Sequence, residues 1–398
     1  MKRILSLFIA VSVLVAFGGC TRDYEEIARS EYALDRGDYV SGYDYEYGLS
    51  ELGDKIQNIY QDDENITELG RDVVDPLVDF DDANIIQGTK YSMPTRMFYY
   101  MAVENKSYEK GTSPFVISTE EETAVFWNSL SPESTETIAE QIMRNTKQIA
   151  LHTMASMYAY EDYGLEMTDA YMESYQSIFN LFGNVDALNE YYAAFGLNDE
   201  LLKEYLMYFT QYASVKERLV GENSEFYPTE EQAYDFFESE CLYLQQIVFS
   251  YVEEDENGCI IYKSEEDKQK AKAEGEELYA KILDDPRQFT RNMYKTQHLT
   301  WDENPMGYIY VPGDVLPEIS DAYFTLMPDE ILAIDTPLGY YIIKPLEKNK
   351  DVYSGADDMI IRAYCDRVLE GELSKYYENF TFDEAQFTRY EFSKILTQ

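Results

Sequence analysis

Thr336-Pro337-Leu338-Gly339-Tyr340-Tyr341-Ile342-Ile343-Lys344 is the stretch on which the fold turns. Its apolar run reads as a short strand over 339–346. A counterpart lies upstream in Leu244-Gln245-Gln246-Ile247-Val248-Phe249, within a strand-like segment over 242–252 that ends at the turn Asp255-Glu256-Asn257-Gly258. Between the two runs, 263–284 reads as a polar helix and 289–294 as a shorter one. A short strand follows at 307–311 and a small helix at 318–324. Strands and helices mixed over about a hundred residues describe a small α+β unit.

Outward from this unit the pattern is helical on both sides. Ile138, Ile142, Ile149, Met154, Met157 and Tyr158 recur near helical spacing within 131–164. Thr168 is placed to cap a helix holding Tyr171, Tyr175, Ile178 and Phe179, which Gly183 ends. Leu188, Tyr191 and Tyr192 form a short helix stopped at Gly196, and Asn198 caps the next. Pro228-Thr229-Glu230-Glu231 opens another. Further toward the amino terminus, Ala83–Ser92 reads as a short strand, a Gly turn and a helix start, with Ser92 as N-cap and Pro94 in the first turn. On the carboxy side, 357–380 and 383–396 read as closing helices.

Composition bounds the chemistry. The chain has 398 residues, with 76 Asp+Glu against 32 Lys+Arg and a formal net charge of −44. That charge excludes a nucleic-acid partner, which needs a positive face, and adsorption to an anionic lipid surface by charge alone. Hydrophobic residues at 45% supply a core, so the chain is not disordered by composition. The length suits two or three domains at about 100–200 residues each. Four Cys without a CxxC pair are too few for a disulfide scaffold. Two His, at 152 and 298, lie far apart, which argues against a zinc site or a His-based triad. No metal and no cofactor is expected.

The amino terminus reads as an address. Lys2 and Arg3 precede an apolar run from Ile4 to Phe17, too short to span a bilayer, followed by Gly18-Gly19-Cys20. Cys after two small residues resembles a bacterial lipobox, which implies cleavage before Cys20 and lipid attachment to its sulfur. Residues 20–82, acidic and rich in Tyr and Gly, read as a tether.

The central unit resembles a parvulin-type peptidyl-prolyl isomerase domain. The resemblance is carried by Leu244–Phe249, the helix around Ala271–Leu283, and Met306-Gly307-Tyr308-Ile309-Tyr310. Pro317-Glu318-Ile319 follows with Ala322, Phe324 and Leu326, then Pro328-Asp329-Glu330-Ile331 and the closing run 336–344. No one piece is specific; the order and spacing together are. The flanks, with Ile86-Gln87-Gly88 and Gly196-Leu197-Asn198-Asp199-Glu200-Leu201-Leu202, look like the helical chaperone domain of PrsA and SurA foldases.

The resemblance implies an α+β chain: a helical chaperone domain of SurA-N or trigger-factor type over 83–240, with an inserted parvulin domain of FKBP-like fold over 241–347. Residues 348–398 would be carboxy-terminal helices completing the helical domain, and 1–19 the lipoprotein signal peptide. It implies an extracytoplasmic foldase for exported polypeptides, lipid-anchored to the bacterial cell membrane through the amino terminus only. An X–Pro bond isomerises slowly because the amide has partial double-bond character. Parvulins speed it with a pair of pocket His, an Asp or Cys, and Met and Phe walls. Carried over residue by residue, the His pair falls on Gln246 and Tyr341, the Met on Val315 and the Phe on Ile319, with the Asp or Cys within Thr296–Asp302. Phe324 and Leu338 complete the expected substrate wall. First and last strands of the domain should pair centrally, bringing Gln246 and Tyr341 to one concavity.

Gln and Tyr hydrogen-bond but do not titrate near neutral pH as His does. The expectation is therefore a degenerate isomerase domain, weak or inactive. Two other readings stay open: an active isomerase with a non-His pocket, or a surface lipoprotein with one dedicated protein partner. The 38 Tyr offer amphipathic area for holding unfolded segments, though side chains at helical period usually face a core. Acidic runs such as Glu120–Glu122, Glu253–Glu256 and Glu265–Asp267 lack calcium-loop spacing and read as solvated faces. His152 reads as a core-edge residue, and Cys241 and Cys259 flank a hairpin whose pairing the spacing leaves open.

Overall fold

The computed structural model describes residues 83–112, 120–132, 134–293 and 307–388, together with Phe392 and Ile395. The leader, Cys20, the tether, His298 and the Thr296–Asp302 stretch lie outside the described residues.

The chain opens with a hairpin of β1 (Asn84–Gly88) and β2 (Ser92–Pro94), which feeds α1 (Thr95–Thr112). Ser92 is thus a strand residue and not an N-cap; the helix begins at Thr95, whose amide and hydroxyl both bond the Ala83 carbonyl. At the hairpin turn a Cβ on Gly88 would collide with the Tyr91 carbonyl and the Tyr158 hydroxyl. Only glycine fits this approach.

Next come α2 (Glu120–Asn128), α3 (Ile138–Asp162), α4 (Ala170–Phe182), α5 (Val185–Ala193), α6 (Asp199–Val220) and α7 (Glu230–Glu240). Their starts follow capping chemistry. Thr137 and Glu140 close a capping box on α3, as Thr229 and Gln232 do on α7, and Asn198 accepts from the Leu201 amide on α6. Helix α3 therefore starts at Ile138, later than the periodicity from 131 suggests, and Asp169 rather than Thr168 stands at the head of α4.

The second unit comprises β3 (Leu242–Ser250), the β4 (Val252–Glu254) and β5 (Ile260–Tyr262) hairpin, α8 (Glu265–Asp284) and α9 (Arg287–Met293). It continues with β6 (Tyr308–Tyr310), α10 (Pro317–Tyr323), β7 (Leu332–Asp335) and β8 (Gly339–Pro345). The chain then returns through α11 (Lys350–Ser354), α12 (Asp357–Ser374), β9 (Phe380–Phe382) and α13 (Glu384–Phe387). Helix α12 ends at Ser374, short of the closing helix expected over 357–380, and Phe380–Phe382 pairs antiparallel with β1; of the helix expected over 383–396, the described residues include α13.

Four strands form a sheet of order β6-β3-β8-β7, antiparallel throughout, with β3 and β8 in the middle. Successive side chains of a strand point to opposite faces. Leu242, Leu244 and Val248 with Tyr341 and Ile343 therefore face one core, shared with Ile319 and Tyr323 of α10. Ile247 and Phe249 with Tyr340 and Ile342 face the other, against Ala271, Leu278 and Ile282 of α8 and Phe289 and Met293 of α9. Burial on both faces explains why the two strands read as near-continuous apolar runs.

The helical lobe has its own core, drawn from α1, α3, α4, α5 and α6 and completed by Leu369, Leu373 and Phe380 from the returning chain. Tyr99, Tyr100, Tyr175, Tyr192, Tyr205, Tyr208 and Tyr212 are buried in it, so these tyrosines are core rather than surface. His152 is buried too; its Nε2 pairs with Glu370 of α12 and its ring stacks on Tyr212 at 6.4 Å. Cys241 and Cys259 are both free thiols and belong to different buried clusters.

Candidate functional site

Register decides which side chains meet on the sheet. Gln246 lies opposite Ile343 and Val248 opposite Tyr341, so Gln246 and Tyr341 are diagonal neighbours on one face of the central strand pair. Both are nearly sealed, at 8% and 9% exposed. A buried amide needs a partner. The Gln246 Nε2 donates to the Tyr310 hydroxyl at 3.0 Å, and Tyr310 stacks on Tyr308 at 6.0 Å. Tyr323 closes the α10 side, its hydroxyl accepting from the Tyr243 amide at 3.1 Å.

Around these polar groups stand Leu316, Ile319 and Leu338, buried, with Val315, Leu326 and Ile334 partly buried against them. Ile319, Val315 and Leu338 thus share the face of Gln246 and Tyr341. Phe324 does not line it. Residues four apart share a helix face, so Ile319 and Tyr323 turn inward while Phe324, just past the helix end, is 50% exposed. Its ring rests edge-on against Tyr323 at 5.2 Å, which makes it a rim residue.

Burial raises the Tyr323 phenol and pushes the Cys241 thiol up to about 11, so neither ionises near neutral pH. The amide of Gln246 does not titrate, and a phenol's ordinary value is near 10. Among the described residues the one histidine, His152, sits in the helical lobe. The face is therefore a buried apolar wall with the Gln246–Tyr310 pair set into it. It carries, among the described residues, no histidine to serve as a general base. Among the described residues no set of His, Cys, Asp and Glu is grouped to hold a metal ion, and no helix is long and apolar enough to cross a membrane.

Three contributors escaped sequence reasoning. Tyr310 carries its signal in the alternation Tyr308-Ile309-Tyr310, which sends both tyrosines to one face. Tyr323 was readable from its spacing to Ile319. Leu130, from the helical lobe, joins the same buried cluster, and nothing local in the sequence marks it.

No protein-family model matches the chain, and no curated protein matches it. Among solved structures, it is similar to the peptidylprolyl isomerase PrsA from Bacillus cereus at 14% identity and a TM-score of 0.32, covering 63% of this chain and 90% of that one. The foldase protein PrsA from Streptococcus pneumoniae aligns at 17% identity and a TM-score of 0.25, over 70% of this chain and 100% of that one. The PrsA foldase from Lactococcus lactis aligns at 15% identity and a TM-score of 0.23, over 79% and 100%.

Proposed function

We propose that the chain is a membrane-anchored extracytoplasmic foldase for exported polypeptides, whose parvulin-like module has weak or no isomerase activity. In this reading 1–19 is the lipoprotein signal, Cys20 carries the lipid and 20–82 is the tether. Residues 83–240 with 348–398 form the chaperone lobe, and 241–347 the isomerase-like module. The observation that supports it is the company of Gln246 and Tyr341. These positions, where the family resemblance puts the two histidines, share one buried apolar face with Val315, Ile319 and Leu338. A proline ring suits such a face, and desolvating the twisting carbonyl needs no proton transfer. With no histidine on it among the described residues, the face orders a peptide more readily than it accelerates isomerisation.

An isomerisation assay on proline peptides tests this. Wild-type turnover should lie near background. Gln246→His together with Tyr341→His should raise it more than either change alone, since groups acting as a unit are not additive. Strong wild-type turnover surviving Gln246→Ala and Tyr341→Phe would refute the assignment. Anchoring has its own test: Cys20→Ala should abolish lipid labelling, and unchanged membrane retention would exclude a lipid anchor.

A further inference from the structure

The helical lobe meets the sheet module at both ends of β3. At the Leu242 end, where both connections enter, Cys241 and Tyr243 pack with Phe236 and Phe237 of α7, Tyr353 and Ile360. Contact there follows from covalent linkage. At the Ser250 end no connection requires it, yet the lobes exchange side chains.

The loop between α2 and α3 is closed by a bridge between Leu130 and Thr137, and the Leu130 amide donates to the Ile260 carbonyl of β5 at 2.9 Å. The Leu130 side chain, 7% exposed, belongs to the buried cluster that includes Val248, Val252, Leu338 and Tyr341. In return Cys259, 2% exposed, is buried with Phe126, Trp127, Ile138 and Ile142 of the helical lobe. Ser129 and Cys259, both buried, each precede one partner of the Leu130–Ile260 backbone hydrogen bond, which sets the two residues side by side in the dock.

One feature makes this dock separable from the rest. The β4–β5 hairpin forms a two-stranded sheet of its own, outside the four-stranded one. An isolated hairpin is marginal in water, so its order depends on what it packs against. Such elements open at lower free energy than a core sheet.

We propose that the Leu130 loop and the β4–β5 hairpin form an intramolecular clasp, with Leu130 holding a place on the client face that an apolar client side chain takes when the clasp opens. The inference rests on the proposed client face. The junction at the Leu242 end holds one end of the module; the clasp fixes the second and sets Leu130 into the cluster that carries the face. A client must then supply burial equivalent to that of Leu130.

The test measures binding of a fluorescein-labelled unfolded casein to the full-length chain by anisotropy, beside amide hydrogen exchange over 252–262. Leu130→Glu should speed exchange in the hairpin, leave β3 and β8 protected and tighten casein binding severalfold. Should that variant misfold, Ser129→Cys in a Cys365→Ser background, oxidised with diamide, should cross-link to Cys259 and weaken casein binding, with reductant restoring it. Failure to cross-link overturns the dock. Casein binding unaffected by lock or release overturns the clasp alone, whereas no casein binding by any form overturns the client reading beneath it.

Discussion

The amide of Gln246 donates to the hydroxyl of Tyr310, linking the central strand β3 to the edge strand β6 across an otherwise apolar face. Buried polar pairs are costly when half removed, because the remaining group keeps its desolvation penalty. Tyr310→Phe should destabilise the chain by about 1–3 kcal/mol in urea unfolding. Gln246→Leu combined with Tyr310→Phe should cost clearly less than the sum of the single changes. Additive losses would mean that the two side chains do not depend on each other.

A second prediction concerns the opposite face of the sheet. Gly275 is buried in the middle of α8, where a Cβ would collide with the Tyr340 ring and lie 3.0 Å from the Phe249 ring. Helix propensity favours Ala by about 1 kcal/mol, while overpacking costs about 1–3 kcal/mol. The steric effect should win, since both rings are held in the sheet's second core. Gly275→Ala should lower the melting temperature, and a raised one would show that α8 rides farther from β3 and β8.

At the junction between the lobes, the Lys348 ammonium donates to the carbonyls of Phe237, Glu238 and Cys241 at 2.9, 2.7 and 2.6 Å. The last carbonyls of a helix have no intrahelical partner, so the lysine finishes α7 from the returning connection. Lys348→Met keeps the stem over Phe237 and strands the carbonyls. Expected are a loss of about 1–3 kcal/mol and faster hydrogen exchange at the end of α7. Unchanged exchange there would assign the lysine to solvent.

The sequence shows the sheet where burial leaves a repeating mark. The apolar runs of β3 and β8 carry that mark because each strand is covered on both faces. Asn198 and Thr229 announce their helices by local capping chemistry, which needs no tertiary context. Phe380-Thr381-Phe382 gave no such mark: at 3 residues it is too short for a period, and its partner β1 lies at the other end of the described chain. Phe324 and Tyr323 differ in exposure through a helix end that composition does not locate. Leu130 enters the candidate face through a contact between lobes, and a docking contact has no sequence period at all.

The last prediction uses a carboxyl group inside the helical lobe. Glu104 of α1 accepts from the Tyr205 hydroxyl of α6, and its Oε1 is sealed from solvent. Burial pushes its pKa up to about 7, with the hydrogen bonds from Tyr205 and Tyr100 pulling the other way. A carboxyl whose folded value is raised binds its proton more tightly when folded than when unfolded. Its contribution is therefore whole below the unfolded value near 4.5, falls as pH rises toward 7 and is flat above. The lost stability is at most roughly 3 kcal/mol. Glu104→Gln keeps an acceptor for Tyr205 and cannot ionise. Its stability relative to wild type, from urea unfolding at pH 5, 6, 7 and 8, should rise through this range and level off above about 7. Taking the difference cancels the other carboxylates, which titrate alike in both proteins. A difference that does not change with pH would mean Glu104 ionises as a surface carboxylate does, and that the Tyr100, Tyr192 and Tyr205 surroundings admit water.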